Sequence, residues 1–315
     1  MEKDPDTTVE HDFSPFIRIY KSGRLERLLS TSVVPAGTDL VTGVISKDVP
    51  INPTTGVSAR LYLPPDIPSD AKLPILVYFH GGGFVTETAA SPTYHNYLTS
   101  LVSKARILVV SAEYRRAPEH PLPAAYDDCW EVLAWTTSGS CPNERVSSFG
   151  DLGRVYLGGD SAGGNVTHHM AVKAASERIR IKGLILCHPL FRGSDTVGSK
   201  PEDPVKKEKS LKFWRFVYPA TTGLDDPFMN PMAMEGSMDG VYKCEKVLVA
   251  VAENDGLRDR GKLYYDKLHE AVLSGKWDGR AEFYEAEGEG HIFYLRNSSS
   301  DKAGEMMQKV VSFIV

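Results

Sequence analysis

Hydrophobic and polar positions change period several times along the chain, and the changes mark its elements. From 44 to 63 the two kinds alternate around the turn Asn52-Pro53-Thr54-Thr55-Gly56, with Val57, Ala59, Leu61 and Leu63 in step. That alternation predicts an antiparallel hairpin. Leu73-Pro74-Ile75-Leu76-Val77-Tyr78-Phe79 is then almost continuously apolar, the pattern of a strand covered on both faces. Further on, the periodicity predicts a helix over 94–104, a strand over 107–110 and a helix over 126–136. A strand, sharp turn and helix follow at 154–177, then a strand over 181–187. Beyond 244 come a strand at 247–251, a helix at 259–273, a strand at 281–284 and a last helix over 301–314. Strands and helices in alternation predict an α/β domain: a mostly parallel sheet with helices on both faces and ligands outside the carboxyl ends of its strands.

Two stretches break the rhythm. Residues 1–12 are polar and predict a mobile tail, while Phe13, Phe16, Ile17, Ile19 and Tyr20 form an apolar patch that reads equally as a flap over a site and as an arm packed on the domain. Residues 192–244 mix charge (Lys206-Lys207-Glu208-Lys209), aromatics (Phe213, Trp214, Phe216, Tyr218) and turn formers. This is read as an insertion acting as a lid, with the Lys/Glu run on a solvated helix face.

Composition narrows the classes. Hydrophobic residues make up 42% and charged residues 24% of 315, ordinary values for a globular chain, and a net charge of −5 supplies no basic footprint for nucleic acid. The first thirty residues hold no apolar leader, and no stretch approaches the ~18 apolar residues of a membrane span. The expectation is a cytoplasmic protein, with the nucleus as a second compartment, present as a monomer or weak dimer. Cys129, Cys141, Cys187 and Cys244 are far apart and are read as free thiols. Sequons at Asn165 and Asn297 are read as chance matches.

Chemistry concentrates at strand ends. Gly159-Asp160-Ser161-Ala162-Gly163 lies between an apolar strand and a helix. A turn this sharp needs small residues where the helix start passes the strand, and it lifts the serine hydroxyl above the sheet edge. Ser161 is the candidate nucleophile, and the N–H of Ala162 points at the reacting oxygen. His80-Gly81-Gly82-Gly83 follows the first buried strand and predicts an oxyanion hole, because glycines let backbone amides approach a substrate. Phe84, next in line, is assigned to the substrate pocket. A serine needs a base, and His291 stands after Gly288-Glu289-Gly290 on a loop at the same edge, whereas the other eight histidines fall in the tail, in the glycine loop, in helices or beside prolines. Asp255, after the strand 247–251, is the orienting carboxylate; Asp259 is the alternative and Glu253 is read as structural. No metal or cofactor is called for.

These motifs carry a family resemblance. His80-Gly81-Gly82-Gly83-Phe84, Tyr114-Arg115-Arg116-Ala117-Pro118-Glu119-His120-Pro121, Gly159-Asp160-Ser161-Ala162-Gly163-Gly164-Asn165 and Gly290-His291 resemble the hormone-sensitive-lipase-like α/β-hydrolases, as does the chain order Ser161, Asp255, His291. Residues 19–27 and 43–49 further resemble the plant carboxylesterase group. The resemblance implies one α/β-hydrolase domain over 1–315, with about eight strands and a helical cap built from 1–40 and the insertion 192–244. It implies hydrolysis of short-chain or secondary-metabolite carboxylic esters through an acyl-enzyme, without a cofactor. The family also contains non-hydrolytic hormone receptors and dehydratases or cyclases of specialised metabolism. Those relatives alter the histidine, the serine or the glycine triplet, all of which are present here.

Overall fold

The computed structural model describes residues 4–29, 32–198 and 203–315. The chain opens with a small antiparallel sheet, β1 (Val9–Phe13), β2 (Ile17–Tyr20) and β3 (Leu25–Arg27). Residues 9–12, expected in a mobile tail, are thus strand; Phe13 and Ile17 anchor the sheet in the core. The predicted hairpin is β4 (Ile45–Asn52) with β5 (Val57–Leu63). The buried apolar run is β6 (Leu73–Phe79), followed by α1 (Pro92–Ala105), β7 (Leu108–Glu113), α2 (Ala124–Thr137) and a short α3 (Glu144–Phe149). Then come β8 (Gly150–Asp160), α4 (Ala162–Ser176) and β9 (Gly183–Cys187). The insertion contributes α5 (Pro204–Val217), whose start is capped by the Asp203 carboxylate accepting from the Val205 N–H. The chain closes with β10 (Lys246–Ala252), α6 (Arg258–Leu273), β11 (Arg280–Ala286), α7 (Phe293–Arg296) and α8 (Asp301–Ile314).

Among the described residues eight strands form the central sheet, in the order β11-β10-β9-β8-β6-β7-β5-β4. From β6 to β11 neighbouring strands run parallel, and the β4–β5 hairpin joins antiparallel to β7. Strands buried on both sides need two apolar faces, and successive residues supply them. Ile75, Val77 and Phe79 join one core with Val132 of α2, Met170 of α4 and Leu268 of α6. Leu76 and Tyr78 join the other with Leu98 of α1 and Val310 of α8. The strand order sets the site: β6 lies beside β8, so the glycine loop meets the serine turn, and β9 alone separates β8 from β10.

Polar groups inside this core give the fold a pH dependence of known sign. Burial pushes His80 down to about 3 and His168 well below the ordinary imidazole value. Each binds a proton in the unfolded chain below about pH 6.5 but not in the folded one, so each removes about 1.4 kcal/mol of stability per pH unit on acidification. Asp160 acts in the opposite direction: burial raises it to about 6, so it favours the folded state as the pH falls from there toward 4. His169, pushed down to about 4 by burial, joins the histidines, while Glu87 and Glu113, raised by burial, join Asp160; the histidine side leaves a net loss. Between pH 6 and 5 the unfolding free energy from urea titration is expected to fall by about 1.4 kcal/mol; a rise over that interval would mean that the buried carboxyls outweigh the histidines.

Candidate active site

Ser161 sits at the tip of a strained turn. Its backbone adopts φ +53° and ψ −116°, held by its N–H donating to the Cys187 carbonyl at 2.9 Å and its carbonyl accepting from Leu190 at 2.8 Å. A side chain at Gly159 would come within 2.5 Å of the Gly163 backbone and the Phe79 carbonyl oxygen, and one at Gly163 would collide with that same carbonyl. Both glycines are therefore required by close approach of α4 to β6 and β8. Asn165, one turn into α4, is fully buried. It accepts from the Tyr126 hydroxyl at 2.7 Å and donates to the Leu190 and Phe228 carbonyls at 3.0 and 2.7 Å. Its sequon is consequently inaccessible in the folded chain.

The sequence-predicted residues meet at the carboxyl edge. His291 Nε2 lies 3.0 Å from Ser161 Oγ, and His291 Nδ1 lies 2.7 Å from Asp255 Oδ2. The loops carrying them are laced together. Asn254 donates from its backbone to Glu289 O at 2.8 Å and from its side chain to Gly288 O at 3.0 Å, while Glu253 accepts from the Gly288 N–H at 2.7 Å. Glu253 is structural, as its position suggested, and Asp259 turns aside to pair with Arg258. Asp255 Oδ1 accepts from the Leu257 N–H at 2.9 Å. Burial alone would raise the Asp255 carboxyl, but donors from His188 and His291 outweigh it and hold the group far below the ordinary carboxylate range.

The glycine loop corrects one assignment. The Gly81 N–H donates to the Tyr94 hydroxyl at 2.7 Å, and Tyr94 in turn donates to buried Asp160 at 2.9 Å. Gly81 is thus engaged in holding the loop and is not free to bind an oxyanion. The amides of Gly82, Gly83 and Ala162 have no acceptor among the described residues. Gly82 and Gly83 adopt φ +97° and +63°, conformations that glycine alone adopts readily. A side chain at Gly82 would run into the Thr86 carbonyl. His80 braces the turn: its ring stacks on Tyr114 at 4.1 Å, and the Tyr114 hydroxyl donates to the His80 carbonyl at 2.7 Å. Arg115 forks onto buried Asp128, and Arg27 reaches from the N-terminal sheet to Glu119 and the Val85 carbonyl.

Phe84 requires a second correction. At φ +65° its ring turns inward and is wholly buried, packed against Tyr126 and Trp214. It supports the loop from below and does not line the cavity. A cavity of about 350 Å³ opens over Ser161 and His291, walled by Phe13 and Phe16 of the N-terminal segment, Phe213 of α5, Leu190, Met229 and Leu257. Phe16 stacks on Phe213 with centroids 5.5 Å apart. Arm and insertion therefore close on one another above the serine.

Among the described residues, His188, Asp255 and His291 form the one cluster with metal-ligating atoms within 4.8 Å of one another. Ring-nitrogen to carboxylate hydrogen bonds account for that proximity. Sequence reasoning misses His188, because the Pro189 that follows it suggests a turn. A signal existed: it stands directly after the strand 181–187, at the same edge as Ser161 and Asp255.

Comparison with known proteins fits this geometry. Residues 76–295 match the family model of the alpha/beta hydrolase fold. The chain belongs to the α/β-hydrolase family. Within it, this hydrolase belongs with the plant carboxylesterase group. It is 48% identical to tuliposide A-converting enzyme 2, chloroplastic, of Tulipa gesneriana over 98% of its own length and 79% of the relative's. It is 42% identical to probable carboxylesterase 5 of Arabidopsis thaliana, over 98% and 99%. Among solved structures, the hydrolase resembles an esterase of Pyrobaculum calidifontis (26% identity, TM-score 0.68, 85% and 84% of the two chains). A thermostable carboxylesterase cloned from a metagenomic library is equally similar (26%, TM-score 0.69, 85% and 87%).

One expectation falls. The Tulipa relatives are chloroplastic or amyloplastic, which overturns the cytoplasmic assignment made from the sequence. That assignment rested on the lack of an apolar leader, and plastid transit peptides are amphipathic and rich in Arg and Ser instead. No helix among the described residues is long and apolar enough to cross a membrane.

Proposed function

We propose that this hydrolase is a serine carboxylesterase acting on small carboxylic esters of plant secondary metabolism. The observation that carries the proposal is the unbroken line from Ser161 Oγ through the His291 ring to Asp255, opening on the apolar cavity. Ser161 Oγ attacks the ester carbonyl carbon while His291 Nε2 accepts its proton. The carbonyl oxygen becomes an oxyanion, bound by the amides of Gly82, Gly83 and Ala162. Its collapse breaks the ester bond, and His291 returns the proton to the leaving alcohol. A water molecule, deprotonated by His291, then attacks the acyl-enzyme, freeing the acid and restoring the serine hydroxyl.

Substrate class is supported by the walls and by the relatives. Phe13, Phe16, Phe213 and Met229 suit an apolar acyl or alcohol group, and the residues 4–29 and 203–217 that carry three of them are proposed to act as the cap. The relatives' names, tuliposide A-converting enzyme and carboxylesterase, support an ester of a plant metabolite. Pre-steady-state hydrolysis of p-nitrophenyl acetate, butyrate and octanoate tests the proposal. A burst of p-nitrophenol equivalent to the enzyme, with turnover fastest on the two shorter chains, is expected. Folded protein that binds such esters without releasing p-nitrophenol would remove hydrolysis from consideration and leave the receptor and the dehydratase or cyclase classes.

A further inference from the structure

Ser161, His291 and Asp255 do not exhaust the buried hydrogen-bonding line at the sheet edge. His188 follows the last residue of β9, between the strand that presents Ser161 and the strand that presents Asp255. Its ring is fully buried. Its Nδ1 lies 2.9 Å from Asp255 Oδ2, the same oxygen that His291 Nδ1 reaches at 2.7 Å. The two rings meet edge to face, with centroids 5.6 Å apart. A carboxylate oxygen only accepts, so both Nδ1 atoms must carry hydrogen. The charge surroundings are few: Asp255 and His291 face His188 directly, the Phe293 and Tyr294 rings pack against it, and Asp160 ends the neighbouring strand β8, paired in register with Cys187. Burial pushes His188 down, so it donates as a neutral imidazole.

Two features set this histidine apart from a packed core residue. Among the described residues its Nε2 is buried without a partner, as is that of His80 in the glycine loop, so the ring leaves one polar atom unsatisfied in order to place the other on Asp255, an arrangement that is costly unless the placed bond matters. Its backbone is at φ +47°, the left-handed region that non-glycine residues seldom occupy outside turns and functional sites. The His188 N–H donating to the Ala250 carbonyl of β10 at 2.7 Å fixes that conformation.

We infer that His188 is a positioning residue of the esterase, a second donor that holds Asp255 Oδ2 in line with His291 Nδ1 and shares the carboxylate's charge. This inference rests on the triad proposed above. With His188 in place, the carboxylate cannot rotate toward either loop, and part of its negative charge is committed away from His291. Removing the donor has two consequences. Asp255 loses its fixed orientation, which lowers kcat, and its full charge falls on His291, which keeps that ring protonated to higher pH.

The test compares His188→Phe, which removes the donor, with His188→Asn, whose side-chain amide can occupy the Nδ1 position and whose residue type tolerates the left-handed backbone. For His188→Phe, kcat on p-nitrophenyl butyrate is expected to fall about tenfold to a hundredfold, as when a partner orienting a site residue is removed. KM should stay within about twofold, and the acid limb of kcat/KM should move up by about half a pH unit. His188→Asn is expected to restore kcat to within about threefold and to return the limb. Wild-type kcat and an unmoved limb in folded His188→Phe would overturn the inference. If that variant does not fold, His188→Asn decides: a hundredfold loss in kcat with the fold intact overturns it too, because the donor would then be present without effect. Ser161→Ala separates the two proposals, since its activity speaks to the triad alone.

Discussion

Ser161→Ala is expected to lower kcat for p-nitrophenyl butyrate by about 10⁵- to 10⁶-fold while leaving the fold and the substrate affinity nearly unchanged. Among the described residues the hydroxyl has one side-chain partner, His291 Nε2 at 3.0 Å. Alanine fits the space and adds no new contact. The strained φ of +53° is set by backbone bonds to Cys187 and Leu190, which the substitution does not touch. What remains are the amides of Gly82, Gly83 and Ala162 and the cavity walls, which in serine hydrolases sustain a residual rate of about 10³–10⁴ over water. The measurement is steady-state hydrolysis by protein whose substitution is verified by mass, with circular dichroism as the fold control. More than about 1% residual activity would show that Ser161 does not form the acyl intermediate. Activity retained on an elimination or cyclisation substrate would then redirect attention to His291 as a proton-transfer group.

The sheet was legible because its strands are buried on both faces and spell that burial as apolar runs. Leu73–Phe79 and the strand before Ser161 could hardly be anything else. The site was legible where a strand end and a special residue coincide, as at Ser161, Asp255 and His291. What the sequence hid depends on directions that spacing does not encode. Phe84 follows the glycine loop just as a pocket residue should, yet a positive φ rotates its ring into the core. Gly81 resembles its neighbours in the triplet, but its amide is taken by a tyrosine hydroxyl thirteen residues away. β1 is five residues long with mixed exposure, so its alternation is too weak to distinguish a strand from a tail, and its stability comes from Phe13 packing on Phe213 and Phe216. His188 was hidden by its neighbour: a proline suggests a turn, whereas strand order places the residue against Asp255.

The second large effect is expected at Asp255. Asp255→Asn should reduce kcat by about 10⁴-fold with little loss of stability, and the reason lies in the direction of three hydrogen bonds. In the wild-type site Oδ2 accepts from both His291 and His188, and Oδ1 accepts from the Leu257 N–H. An amide has one oxygen and one NH₂ and cannot accept on both sides. With its oxygen toward the two rings, the NH₂ faces the Leu257 N–H, donor against donor. The opposite orientation satisfies Leu257 and is favoured, since a backbone amide cannot reverse its polarity whereas an imidazole can exchange tautomers. His291 is then driven to carry its hydrogen on Nε2, facing Ser161 Oγ, where it cannot accept the serine proton. The negative charge that would stabilise the imidazolium is also gone. Unlike Ser161→Ala, this variant keeps its nucleophile, so hydroxide can assist the attack and the residual rate should rise with pH beyond the wild-type plateau. A kcat within tenfold of wild type, measured at pH 7 on the same ester, would mean that another carboxylate orients His291 and would reopen the assignment of Asp255.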